Sequence, residues 1–312
     1  MNAPELRRID RTVLAHDGVR LAVREYPAGD EEVTIVLLHG FCLNQDSWNG
    51  QVHRLRRHWG TRARIITYDH RGHGQSTGGA SRTYRVPTLA DDLDSVLAAL
   101  HVRTPLVLVG HSMGGMAALT FAGRAADAQS VAPHGLVLVA TAAGRLAERG
   151  VGRLLGMSAV RALPAVLGHV PDHLLRSLAG PVCTGLARSR GCEATARHTL
   201  AAAAASAMAT TPLSTALGFL AGLRDYNAEP SLSAVTARTV IISGGADVLT
   251  PPSHAEDLAA GIPDAVRVHL PAAGHMLTHD APRTITNAIL RAATHLVAQR
   301  HSPQLSLALA GA

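Results

Sequence analysis

The chain contains no lysine. Its 29 Lys+Arg residues are all arginine, against 23 Asp+Glu, for a formal net charge of +6. Aromatic residues are also scarce, at 3%, which leaves few rings on which bases could stack. The arginine cluster Arg54, Arg56, Arg57, Arg62 and Arg64 is therefore read as a solvated helix face. Neither nucleic acid nor an anionic membrane is expected as a partner. Cysteine is limited to Cys42, Cys183 and Cys192; an odd count argues against a disulfide framework, and only a local Cys183–Cys192 bridge stays open. No Cys or His pairs stand at ligand spacing with a matching second pair, so no metal site is expected. Met1 to Arg8 hold no apolar core of a secretory signal. The longest uncharged stretch, Thr199 to Leu223, is mostly alanine, serine and threonine and is interrupted by Pro212. That is too weakly apolar for a membrane span and is read as two buried helices of an inserted domain. The expectation is a cytoplasmic protein without an integral membrane segment, and its 312 residues suffice for one large domain or a domain with an insertion.

What the chain does have is a series of short apolar runs separated by helical segments. Residues 11–26, with Asp17-Gly18 at the turn, alternate as a β-hairpin does. Val33–Leu38, Arg64–Tyr68, Leu106–Val109, Leu136–Val139, Val240–Ser243 and Val266–Leu270 read as strands buried on both faces. Thr88 with Asp91 suggests a capping box ahead of a helix over Leu89–Leu100, with Asp91, Asp92 and Asp94 at its positive end. Such alternation predicts an α/β fold with a mostly parallel sheet and helices on both faces. Ligands of such sheets bind beyond the carboxyl ends of the strands.

Chemistry-bearing strings fall at those ends. Gly110-His111-Ser112-Met113-Gly114 follows one apolar run and precedes the small-residue helix Met116-Ala117-Ala118-Leu119. Glycines two before and two after Ser112 are what a very tight strand-to-helix turn requires, one that lifts a serine hydroxyl clear of the sheet. The turn leaves the Met113 N–H free at a helix start, where it can hold an anion. Gly244-Gly245-Ala246-Asp247-Val248-Leu249-Thr250-Pro251 follows Val240–Ser243 and offers Asp247 as a carboxylate that can orient an imidazole. Past the final strand, Ala273-Gly274-His275-Met276 offers His275 as that imidazole; its nearest competitor, His279, belongs to the next helix start. Serine, aspartate and histidine thus occur in the order that distinguishes one serine hydrolase fold from the others.

These strings occur with two more, His39-Gly40-Phe41-Cys42 and Asp69-His70-Arg71-Gly72-His73-Gly74-Gln75-Ser76. Together they resemble the α/β-hydrolase superfamily, in its esterase, lipase and cofactor-free perhydrolase branches. The resemblance spans roughly residues 10–143 and 233–300. It implies the α/β-hydrolase fold, with catalytic Ser112, Asp247 and His275 and an oxyanion hole made by the N–H groups of Phe41 and Met113. It makes His70 and His73 structural, and Asp69 and Arg71 are read as braces for neighbouring loops. Cys42 departs from the small residue or proline usual at its position; it could narrow the pocket or expose a thiol near the chemistry. Residues 143–232 stand where this superfamily inserts a cap. Pro164, Pro171, Pro181 and Pro212 break that segment, and helical spacing recurs at Leu146, Val151, Leu154 and Leu155 and again at Leu213, Leu217, Leu220 and Leu223.

The domain reading is a core of residues 1–142 and 233–300, a helical cap or lid of 143–232, and a tail of 301–312. The expected activity is hydrolysis of a carboxylic ester of a small hydrophobic, aliphatic acyl group, with neither cofactor nor metal. It should rise with pH along a histidine limb, whose unshifted pKa is about 6.5. Perhydrolase, thioesterase and lactonase chemistry would use the same three residues. A slow-turnover ligand-binding receptor is the alternative from a different class. Serine at the elbow disfavours epoxide hydrolases and haloalkane dehalogenases, and His39–Ser47 lacks the glycine- and proline-rich oxyanion loop of the meta-cleavage C–C hydrolases.

Overall fold

A computed structural model describes residues 8–103, 105–158 and 211–294. Cys183, Cys192, Pro164, Pro171, Pro181, residues 199–210 and the 301–312 tail lie outside them. Eight strands form one sheet in the order β1-β2-β4-β3-β5-β6-β7-β8. The hairpin is β1 (Ile9–Leu14) and β2 (Arg20–Tyr26), antiparallel, with Leu14 opposite Arg20 and Gly18 at φ +84° in the turn. β2 also runs antiparallel to β4 (Ala63–Tyr68). β3 (Val33–Leu38), β5 (Leu106–His111), β6 (Gly135–Val139), β7 (Arg238–Gly244) and β8 (Val266–Leu270) complete the sheet, and every pairing from β4 to β8 is parallel. Each run read as a strand is one, with bounds that agree or extend by one or two residues, but β8, at the edge of the sheet, is largely exposed and not buried on both faces.

Alternate side chains of the central strands feed two cores, as the period of a strand demands. Val36, Leu38, Leu108 and Leu138 pack on one face with α2 (Val86–Ala99) and α3 (Met113–Ala122). Ile35, Leu37, Val109 and Val139 pack on the other with α1 (Asn49–Trp59) and Ile285 and Ile289 of the helix over 282–294. All six residues of β3 and of β5 are buried. Both faces of the middle of the sheet are thus covered, and its carboxyl edge is left to carry loops.

Two local expectations need correction. α2 begins at Val86, with Arg85 as its cap and Pro87 in its first turn, so Thr88 lies inside the helix and accepts from Arg85 Nε at 3.3 Å; there is no capping box. A proline pre-set for the first turn outcompetes a hydroxyl one position later. Nor is the arginine cluster a simple solvated face. Arg56 is buried and donates to the Pro27 carbonyl, Arg62 lies 4.8 Å over the Trp59 ring, and Arg64 pairs with Glu25 at 2.8 Å. Arginine stems cover apolar surface while the guanidinium finds an acceptor.

Within 143–232, the spacing at Leu146–Leu155 produces two short 3-10 helices, Leu146–Glu148 and Gly150–Gly156, while Leu213–Arg224 is an α-helix, α4. Phe219 of α4 is fully buried; its ring centroid lies 5.0 Å from that of Tyr84, 5.6 Å from His73 and 6.3 Å from Phe41. Among the described residues no helix is long and apolar enough to cross a membrane.

Candidate active site

Ser112 stands between β5 and α3 with φ 52° and ψ −119°, a conformation that costs a non-glycine residue of order 1–3 kcal/mol. The surroundings enforce it. A Cβ on Gly110 would collide with the Gly114 carbonyl and the Gly115 Cα, and one on Gly114 with the Leu38 and His39 carbonyls. The Ser112 N–H donates to the Val139 carbonyl at 2.9 Å, and Thr141 Oγ1 donates to the Ser112 carbonyl at 2.7 Å. Met113 is the first residue of α3, so its N–H has no acceptor within the helix.

Asp247, after β7, and His275, after β8, meet across the ends of adjacent strands. His275 Nδ1 lies 2.8 Å from Asp247 Oδ2, and both residues are buried. Asp247 Oδ1 accepts from the N–H groups of Leu249 and Thr250 at 2.8 and 2.9 Å, and Oδ2 accepts from Thr250 Oγ1 at 2.7 Å. Burial works to raise the Asp247 pKa. His275 and the Thr250 donors outweigh it and hold the carboxyl below its ordinary value. An ionised Asp247 fixes the proton of His275 on Nδ1 and leaves Nε2 as the basic nitrogen.

The elbow and the His275 loop are joined through His111. Its Nε2 donates to the His275 carbonyl at 3.0 Å, and the two ring centroids are 5.0 Å apart. Among the described residues no hydrogen bond joins the Ser112 hydroxyl to His275. Such bonds are often long without substrate and tighten in the complex. His279, the competitor, has a side chain 89% exposed and pairs with neighbouring Asp280.

The loop carrying Phe41 is held from below by histidines. His39 Nδ1 donates to the Gly40 carbonyl at 2.7 Å and its Nε2 accepts from the His70 N–H at 2.9 Å, while His70 Nε2 donates to the His39 carbonyl at 3.1 Å. His73 Nδ1 donates to the Arg71 carbonyl, so its Nε2 is free to accept the Cys42 N–H at 3.2 Å. Burial lowers all of these rings, His39 to about 4, His73 to about 3, and His70 well below the ordinary value; they are neutral props. Asp69 accepts from the Gln45 and Gln75 N–H groups, and Arg71 spans Asp17 and Asp92, which makes both braces. Cys42 has φ 58°, and burial pushes its thiol up to about 12. It is a buried, protonated side chain and exposes no nucleophile.

The chain matches the family described as alpha/beta hydrolase fold over residues 33–282. It belongs to that family. Among curated relatives, "Non-heme chloroperoxidase CPO-A1" of Kitasatospora aureofaciens is 30% identical over 54% of this chain and 52% of its own length. "Probable oxidoreductase EphD" of Mycobacterium tuberculosis is 35% identical over 36% of this chain. The chain spans 18% of that relative's length and about half of the chloroperoxidase. The solved esterase EaEST from Exiguobacterium antarcticum superposes with a TM-score of 0.70 at 22% identity, covering 92% of this chain and 100% of that one. That likeness carries the fold.

Two contributors to the site were not singled out in the sequence. Thr250 supplies two of the Asp247 bonds, and its place three residues after the aspartate was a readable signal for side-chain-to-backbone capping. His111 carried none, because a histidine beside the elbow serine reads as a core residue until the chain is folded. A polar cavity of about 260 Å³ lined by Arg24, Gln45, Asp46 and Asp69 includes none of Ser112, Asp247 or His275.

Proposed function

We propose that the chain is a serine hydrolase that cleaves carboxylic esters of small aliphatic acyl groups. The observation that carries the reading is the buried 2.8 Å bond between Asp247 and His275, on a loop tied through His111 to the elbow of Ser112. In the proposed reaction His275 Nε2 removes the Ser112 proton as the hydroxyl oxygen attacks the acyl carbon. Asp247 keeps the imidazole in the required tautomer and stabilises its cation. The N–H groups of Met113 and Phe41 hold the oxyanion, each worth about 2.7–4 kcal/mol of barrier. The protonated His275 then gives its proton to the leaving alcohol. Water, deprotonated by the same ring, releases the acid from Ser112. In this reading the described residues 143–158 and 211–232 belong to a cap, and the packing of Phe219 near Phe41 supports a roof over the acyl site.

The likeness to a non-heme chloroperoxidase favours a second use of the same acyl-enzyme, in which hydrogen peroxide replaces water and a peracid leaves. Turnover of p-nitrophenyl acyl esters of increasing chain length tests the first reading, with Ser112→Ala as control. Peracid formation from acetate and hydrogen peroxide tests the second. Hydrolysis that survives Ser112→Ala would refute both. Tight ligand binding with negligible turnover by the wild type would put a receptor in their place.

A further inference from the structure

His111 touches all three loops that the proposed reaction needs, yet no step of that reaction runs through its ring. Its backbone is the last residue of β5, directly before Ser112. Its Nε2 faces the His275 carbonyl at 3.0 Å, an oxygen that can only accept, so Nε2 carries the ring proton. Its Nδ1 is buried without a hydrogen-bond partner. On that side lies Gly40, the residue before Phe41: a Cβ built there would come within 2.7 Å of His111 Nδ1 and 3.3 Å of Ser112 Cβ. One flat ring is thus wedged between the elbow, the Phe41 loop and the His275 loop.

We infer that His111 is a positioning residue that fixes the spacing of the Ser112, Phe41 and His275 loops through its Nε2–H bond to the His275 carbonyl. This rests on the proposed serine hydrolase reading. A ring of this shape is suited to the task. Its Nε2–H is a second donor to the His275 carbonyl, beside the Leu277 N–H at 2.9 Å, and it is the one that ties that carbonyl to the elbow. Its bare Nδ1 edge lets the Gly40 backbone approach closely, which a protonated nitrogen would resist. Burial and the neighbouring His275 lower the His111 pKa to about 4, so the tautomer persists wherever the base works. Misplacing reacting groups by about 1 Å can cost on the order of a hundredfold in rate.

The test separates this role from packing. In His111→Gln the side-chain amide reaches about as far as Nε2 and restores a donor. His111→Met fills similar volume without one, and His111→Asn is too short to reach. A packing role favours the apolar Met in a buried site; the positioning role favours Gln. We expect kcat for p-nitrophenyl esters to fall about tenfold to a hundredfold in Met and Asn with KM within about threefold, and Gln to recover most of the loss. Asn supplies the donor-deleted comparison if Met does not fold. In wild-type protein labelled with 15N-histidine, His111 should show a neutral ring with the proton on Nε2 from about pH 5 to 8. A charged ring, the Nδ1–H tautomer, a donor-deleted variant with wild-type kcat, or Gln as impaired as Met would each overturn the inference. Ser112→Ala runs beside them: if it is inactive while Met or Asn is normal, only the role of His111 fails; if it is active, the hydrolase reading fails first.

Discussion

The Asp247 carboxylate lies 2.8 Å from His275 Nδ1, although the two residues belong to loops after different strands, 28 residues apart. Parallel pairing of β7 with β8, Gly244 opposite Leu270, brings those loops to the same edge of the sheet. The bond is therefore a product of topology and register as much as of the two side chains.

Replacing that carboxylate tests its work. Asp247→Asn keeps the shape and the bond to Thr250, but the amide no longer selects the Nδ1–H tautomer of His275. The expected result is a fall in kcat of about 10⁴-fold with an unchanged unfolding midpoint. Because Asp247 is held ionised, it should add no acid limb of its own to the wild-type rate profile. An acid limb above about pH 5 that disappears in Asp247→Asn would mean that the carboxylate is not held as described.

Acid should unfold this protein early. His39, His70, His73 and His111 are buried with lowered pKa values, His39 and His111 to about 4 and His73 to about 3. Between about pH 6.5 and 4 the unfolded chain binds protons at these positions and the native chain does not. Their stabilisation is thus fully present above about pH 6.5 and is lost as pH falls. Each contributes about 1.4 kcal/mol per pH unit in that window. Asp69 and Asp92, which burial raises, act in the opposite sense but are only two. Circular dichroism should show a melting temperature that is flat above about pH 7 and falls steeply below pH 6. A flat profile down to pH 4.5 would contradict the neutral-prop account.

Much of this was legible in the sequence, and the physical reason is local. The glycines around Ser112 are demanded by backbone atoms within a few residues or on the adjacent strand, so the elbow can be read from its own string. Buried strands such as β3 and β5 announce themselves by uninterrupted apolar runs. What was not legible depends on contacts between distant segments. The His111 bond spans 164 residues and the Cys42–His73 bond 31, and no periodicity encodes either. The start of α2 was misread because a hydroxyl in a capping pattern and a proline one residue earlier give competing signals, and the proline prevailed.

The brace under the site should be costly to break from one side alone. Arg71 and Asp92 are both fully buried, joined by bonds of 2.7 and 2.6 Å. Arg71→Met leaves Asp92 as an unpaired buried charge, and a loss of about 3–5 kcal/mol is expected in urea unfolding. Arg71→Met with Asp92→Asn should recover part of that loss. A double variant no better than the single one would show that the pair is not the brace.

The central claim is that one serine, out of all in the chain, is the nucleophile. A fluorophosphonate probe followed by intact-protein and peptide mass spectrometry tests it most directly. The account predicts a single adduct on Ser112, none in Ser112→Ala, strongly slowed labelling in His275→Gln, and loss of ester hydrolysis in step with the adduct. Full hydrolytic activity with Ser112 occupied by the probe, or stoichiometric labelling at a different residue, would contradict it.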